Sequence, residues 1–189
     1  MTLAEPKAAT DLEQRLRRLE DAEEIRQLKA LYGGYWDAGW SGAHSNGEKL
    51  AELFTEDGVW DGSPLSPVLN GRSEIRDYCE WLGRYVSYDE SGDRRELEGV
   101  SLHMACNPVI AVEGDTASAT FIGLLASPHP DIRRAVWCAG RYIDDLVRTS
   151  EGWKFKRVNF EYAFFTPFDG PGWVAERFVD FAQARGAQS

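Results

Sequence analysis

Four extended segments fill much of the second half of the sequence: Val100 to Val112, Thr116 to Ser127, Ile132 to Arg148 and Trp153 to Phe165. Glu113-Gly114-Asp115, Pro128-His129-Pro130 and Ser150-Glu151-Gly152 separate them. Gaps that short join antiparallel neighbours, so these segments predict a meander. Strands of this length twist and bend as a sheet. The helical patterns all precede the meander, apart from one closing segment. Helices first and one antiparallel sheet after them predict an α+β domain: a cone-shaped, curved antiparallel sheet wrapped around N-terminal helices, an α+β barrel. A sheet bent around a helix leaves a conical cavity, and small-molecule sites favour such concave places.

The first helix is written in the spacing of Leu12, Leu16, Leu19, Ile25, Leu28, Leu31, Tyr32 and Tyr35, with charges between them. Asp11 is its expected N-cap. Gly33-Gly34 is expected to kink it near its end, because glycine weakens a helix interior. Glu48 to Phe54 reads as a short helix, Val59-Trp60 as a short strand, and Ser73 to Val86 as a third helix. Ser87 to Glu98 reads as a charged surface loop, and Trp173 to Ala184 as a closing helix. Residues 1–10 read as a disordered lead and residues 11–189 as a single domain.

A net charge of −10 argues against nucleic acid and anionic membrane as partners, since both require a basic surface. No apolar run approaches the roughly 20 residues that a membrane span needs. Cys79, Cys106 and Cys138 are scattered and odd in number, which fits free thiols in a reducing cytoplasm. Three dispersed histidines, with no paired-cysteine or HxxxH spacing, predict no metal. No glycine-rich phosphate or dinucleotide motif is present, and no cofactor is expected.

The chemistry concentrates where the first helix ends. Leu31 to Trp40 carries two tyrosines, two tryptophans and one carboxylate, Asp37. Rings desolvate an acid and raise its proton affinity unless a donor or cation answers it. The candidate answer is His103, alone on its strand. Two readings stand: Asp37 and His103 meet in a pocket with Tyr32 beside them, or the aromatic helix end packs on the sheet and Asp37 is solvated. Tyr32 and Asp37 lie about 140° apart on an ideal helix, so a shared face requires a bend or an end between them. With 7 Trp, 7 Tyr and 9 Phe the chain has rings to spare for a lining. Tyr35, Trp36, Phe54, Trp60, Phe121 and Tyr142 are expected to supply it. Asn107, four residues beyond His103, shares its face in an unbroken strand and either contacts ligand or caps a backbone group. Arg141 and Asp145 share a strand face and are expected to pair. His44 and His129 read as solvated loop residues, and Asp57 and Asp61 as parts of a helix-to-strand turn.

Several stretches resemble one family. Asp21-Ala22-Glu23-Glu24-Ile25-Arg26-Gln27-Leu28 with Tyr32 and Asp37, then Leu53-Phe54-Thr55-Glu56-Asp57-Gly58-Val59-Trp60-Asp61, resemble the opening of SnoaL-like proteins. Asn70-Gly71-Arg72-Ser73-Glu74-Ile75, His103-Met104-Ala105-Cys106-Asn107-Pro108, Gly140-Arg141-Tyr142-Ile143-Asp144-Asp145 and Gly152-Trp153-Lys154-Phe155 resemble their later signatures. These proteins belong to the cone-fold superfamily of nuclear transport factor two, scytalone dehydratase and ketosteroid isomerase. The likeness spans about residues 15–168. It is nearest in motif to the family's hexachlorocyclohexane dehydrochlorinase and bile-acid 7α-dehydratase. It implies a cofactor-independent lyase acting on a small aromatic or alicyclic compound, with lignin-derived diaryls as one substrate idea. In that reading His103 is the general base and Asp37 orients it. Tyr32 stabilises an oxyanion or leaving group, and Arg148, the nearest match to an arginine preceding the family's tryptophan, offsets leaving charge. Other members are non-catalytic binding modules or β subunits of aromatic-ring dioxygenases. The resemblance also implies a homotrimer, an expectation joined by Val136, Val147 and Val158 if they lie on the sheet's outer face.

Overall fold

The computed structural model describes residues 12–37, 45–87, 101–129, 131 and 134–168. The lead, Asp11, Trp40, His44, most of the Ser87–Glu98 loop and the expected helix from Trp173 to Ala184 lie outside the described residues. Helix α1 spans Leu12–Trp36 and α2 spans Gly47–Glu52. Strands β1 (Phe54–Asp61) and β2 (Val68–Asn70) precede helix α3 (Gly71–Ser87). The meander is β3 (Leu102–Glu113), β4 (Thr116–His129), β5 (Arg134–Thr149) and β6 (Gly152–Pro167).

Helix α1 packs from Asp21 onward. Ile25, Leu28, Tyr32 and Trp36 are buried at three- and four-residue steps, whereas Leu12, Leu16 and Leu19 are 79%, 52% and 69% exposed. The apolar spacing thus continues past the part of the helix that meets the sheet. Gly33-Gly34 does not break α1: the helix runs on to Trp36, and Asp37 N donates to Gly33 O at 3.0 Å. The glycine serves close approach instead. A Cβ on Gly33 would stand 3.2 Å from His103 O and 3.4 Å from His103 Cβ, so its absence lets α1 lie directly on β3.

The sheet has the order β2-β1-β6-β5-β4-β3. The β3–β6 meander is antiparallel as its turns predict. The sheet as a whole is mixed, because β1 lies parallel to β6. A parallel pair needs a long crossover, here through α3 and four strands, so no hairpin signal marks it in the sequence. Strands β2 and β3 stand at the two ends, and the curved sheet does not close into a barrel. Curvature is built where Gly123 faces Gly140 across β4 and β5. A Cβ on Gly123 would come within 2.5 Å of the Phe160 ring, and one on Gly140 within 2.7 Å of it, so both glycines make room for that ring. Bulges at Ala139/Gly140 and Asp145/Leu146 add bend.

The inner face carries Phe121, Tyr142, Leu146, Trp153, Phe155, Val158 and Phe160, all buried. Val136 and Val158, expected on the outer face, point inward and are 3% and 0% exposed, since they alternate with outward neighbours in these strands. The outer face instead presents Val109 and Ile122, 69% and 48% exposed. Arg141 pairs with Glu161 across the β5–β6 ladder at 2.8 Å, and not with Asp145. Asp57 pairs with Lys156, and Asp61 is held by Ser63 and Arg157. His129 is 2% exposed beside Phe165, in place of the solvated position expected of a Pro-flanked residue, because β4 runs on through it. Burial lowers its pKa.

Candidate active site

Helix α1 and strand β3 bring Asp37 and His103 together. Asp37 Oδ1 lies 2.7 Å from His103 Nδ1 and accepts the His103 backbone N–H at 2.9 Å. One carboxylate oxygen therefore fixes both the ring and the strand that carries it. The two side chains are 11% and 19% exposed. A carboxylate on Nδ1 selects the tautomer that carries its proton there, leaving Nε2 as a base. His103 Nε2 has no hydrogen-bond partner among the described residues.

His103 is part of the wall of a cavity of about 130 Å³ between the sheet's inner face, α1 and α3. Tyr32, Trp36, Trp60, Tyr78, Tyr142 and Tyr162 surround it. Trp36 stacks on the His103 ring at 28° and 6.3 Å, and also meets Trp60 at 5.5 Å. Trp60 Nε1 donates to Tyr32 Oη at 2.7 Å. Burial pushes the Tyr32 hydroxyl well above its ordinary range, against the opposing pull of the Trp60 bond, so it stays a neutral donor. Burial also pushes the Cys138 thiol, at the cavity wall, to about 12, which keeps it un-ionised.

The expected lining divides in two. Trp36, Trp60 and Tyr142 face the cavity, as does Tyr32. Phe54 and Phe121 lie deeper: Phe54 packs on Tyr32 and Phe155, and Phe121 packs by Lys29. Tyr35 turns toward α2, with its ring 5.9 Å from Lys49 Nζ. Asn107 is exposed at φ 50°, because β3 bulges between Cys106 and Val109 and the alternation from His103 is lost there.

Arg148 does not reach the site. His103 pairs with Leu125 of β4, while Val147, beside Arg148, pairs with Thr116. Those β4 positions are nine residues apart, or about 30 Å of strand. Arg148 instead bridges Asp21 at 2.7 Å and Asp115 at 3.1 Å and lies 4.5 Å over the Trp153 ring. Proximity to Trp153 in sequence was sound, but the register puts that whole end of β5 at the far turn.

One buried group carried an unused signal. Lys29, 1% exposed, lies 2.9 Å from Asp144 Oδ2 beneath the cavity floor. Its Nζ sits 3.5 Å from the Tyr142 ring centroid and 4.3 Å from that of Tyr32. Burial lowers its pKa from 10.5 to about 8, against the opposing pull of Asp144, whose own pKa burial raises. Lys29 falls four residues after Ile25 and three before Tyr32, a charge on the apolar stripe, and Asp144 alternates with Tyr142 and Leu146.

Among the described residues no three His, Cys, Asp or Glu side chains gather as a metal site, and no helix is long and apolar enough to cross a membrane. An uncharacterised Mycobacterium tuberculosis protein is 27% identical over 141 residues, covering 74% of this chain and 83% of its own. A solved structure from Novosphingobium aromaticivorans, described as similar to nuclear transport factor two with a cystatin-like fold, matches at TM-score 0.57 and 27% identity. It covers 96% of this chain and 99% of its own. The type 3 hexachlorocyclohexane dehydrochlorinase from Novosphingobium barchaimii matches in fold at TM-score 0.63 and 17% identity, covering 83% and 96%. The SnoaL-like domain profile matches residues 17–159, well over half the sequence, and the chain belongs to the SnoaL-like family.

Proposed function

We propose that the protein is a cofactor-independent lyase that removes a proton and a neighbouring leaving group from a small, single-ring aromatic or alicyclic compound. One observation carries this reading: a histidine oriented by a carboxylate stands at the wall of an apolar cavity with Nε2 unengaged. His103 Nε2 takes the proton from carbon, Asp37 stabilises the resulting imidazolium, and the Tyr32 hydroxyl donates to oxygen that gains charge. The likeness to a dehydrochlorinase supports elimination as the reaction type. A volume of about 130 Å³ is of the order of the ~150 Å³ cavity that admits benzene, which favours one ring over a diaryl. The protein is also proposed to self-associate, as a homotrimer, through the outer face around Val109 and Ile122.

The test is a panel of chlorinated cyclohexanes, β-hydroxy ketones and ring-bearing β-halo ketones, with loss of HX followed by mass spectrometry. Turnover that disappears in His103→Ala supports the reading. Ligand binding throughout the panel without turnover would replace it with the binding-module or dioxygenase-subunit role.

A further inference from the structure

Tyr162 of β6 and Ser66, in the loop between β1 and β2, both line the cavity, and the elimination chemistry uses neither. His103 stands on β3 and Tyr162 on β6, with β4 and β5 between them. Neighbouring strands lie about 4.8 Å apart, so the path round the sheet from one to the other is roughly 14 Å. The two are also offset along the strands: His103 pairs with Leu125, whereas Tyr162 reaches Gly123 through Gly140. A ligand in the cavity therefore meets His103 and Tyr162 at different edges.

Local structure places both groups. The Ser66 loop closes on itself, with Ser66 N donating to Gly62 O at 2.8 Å and Gly62 N donating to Pro67 O at 3.3 Å. A Cβ on Gly62 would collide with the Trp60 ring and with Ser66 Cβ, so glycine there lets the loop lie against the ring. Tyr162 is set edge-on to Phe160 at 4.8 Å and 88°. Burial pushes the Tyr162 hydroxyl well above its ordinary range, against the opposing pull of a hydrogen bond with Ser66, so it keeps its proton. Neither side chain makes another hydrogen bond among the described residues. Each hydroxyl has one proton and two lone pairs. Whichever of the two donates to the other, the pair keeps one O–H to give and three lone pairs to receive. Set in a wall that is mostly aromatic, this pair matches a group that both donates and accepts. A hydroxyl does so, and a halogen or a methyl does not.

We propose that Tyr162 and Ser66 form a binding subsite for a hydroxyl on the substrate ring, at an edge away from the carbon that loses its proton. The inference rests on the lyase reading and narrows its substrate class to hydroxylated rings. The subsite takes no part in moving the proton. It orients the ring, so that the carbon to be deprotonated faces His103 Nε2 and the hydroxyl lies between β6 and the β1–β2 loop. A ring without that hydroxyl leaves the pair's remaining donor and acceptors unmet when it displaces water from them, which disfavours its binding.

The probes are 4-chlorophenol and 4-chlorotoluene, which exchange a hydroxyl for a methyl of similar size. The affinity of the full chain for each is read from quenching of tryptophan fluorescence, in mildly acidic buffer where the phenol is un-ionised. The wild type is expected to favour the phenol. Tyr162→Phe is expected to reduce the ratio of the two affinities by about fivefold to thirtyfold, the worth of one or two hydrogen bonds. Ser66→Ala is expected to lower the ratio in the same direction, and it decides the matter should Tyr162→Phe not fold. No preference in the wild type, as a pair that merely holds water would give, overturns the proposal. So does failure of the wild type to bind either probe, a ratio unchanged in the variants, or an equal loss of both affinities, which marks a structural role alone. The two readings separate cleanly. His103→Ala retaining turnover while Tyr162→Phe loses the preference removes the base and leaves the subsite. His103→Ala losing turnover with a ratio insensitive to Tyr162 and Ser66 does the reverse.

Discussion

Replacing Asp144 by asparagine leaves Lys29 in place without its counter-charge and changes almost no volume. The wild-type lysine keeps its proton below about pH 8, so its contribution to stability is level there. In Asp144→Asn the ammonium has only rings and an amide around it, and it folds neutral. The unfolded chain still holds that proton up to an ordinary value of 10.5. The unfolded state then binds one more proton than the native state, so the variant's stability falls as pH is lowered, by about 1.4 kcal/mol per unit. At pH 7 the loss is bounded by the cost of neutralising such a lysine, about 5 kcal/mol, in line with the roughly 3–5 kcal/mol for breaking a buried pair. Between pH 8 and pH 6 the gap between wild type and variant is expected to widen by about 2.7 kcal/mol. Urea denaturation at the two pH values measures it, and titrations of distant groups cancel in the difference. A gap that is the same at both pH values, or a variant as stable as the wild type, would refute the reasoning. The double variant Lys29→Met/Asp144→Leu should recover most or all of the loss, since an apolar replacement of a buried pair is often neutral or stabilising.

Arg148→Ala should cost roughly 1–3 kcal/mol of stability, because it leaves Asp21 buried without its cation. It should leave kcat and KM unchanged, and equal loss of turnover would return Arg148 to the site. Asp21 has its pKa lowered chiefly by the Arg148 hydrogen bond, so the stability that this pair contributes is present above the ordinary 3.8 and lost as pH falls through the lower folded value. An acid titration of unfolding in wild type and Arg148→Ala checks this: the curves should converge at low pH. Gly33→Val should press on His103 O, 3.2 Å from the added Cβ, and lower turnover more than stability; activity at the wild-type level would show that α1 and β3 have slack. Light scattering at micromolar concentration should return three times the mass of the chain, and Ile122→Lys, on the exposed outer face, should lower it to one; a wild-type monomer ends that part of the account.

The meander was legible because alternation and tight turns are local signals, and β3 to β6 follow them closely. The second half of α1 was legible for the same reason. Its first leucines were misleading: spacing reports amphipathicity, not where the partner surface stops. The parallel seat of β1 beside β6 was invisible, since nothing local distinguishes a parallel neighbour from an antiparallel one. For the site, Asp37 and His103 lie 66 residues apart; an acid among rings called for a partner, His103 was the candidate, and the family resemblance added to that pairing. Two of the residues that went astray, Asn107 and Arg148, did so through strand register, where one bulge or nine rungs of ladder move a side chain away from its expected face or end. Lys29 was the overlooked signal, a charge on an apolar stripe that forecasts a buried partner.

The central claim is that His103, oriented by Asp37, takes a proton from carbon. The most direct measurement incubates the wild type, His103→Ala and Asp37→Asn with the substrate found in the panel, specifically deuterated at the carbon that loses the proton. The wild type should show a primary isotope effect on kcat/KM. His103→Ala should fall by at least about 10²-fold, as expected for loss of a positioned base, and Asp37→Asn by a comparable factor because the amide favours the wrong imidazole tautomer. Both variants should keep the wild-type melting temperature within a few degrees. Undiminished turnover in His103→Ala, with the isotope effect intact, would contradict the account.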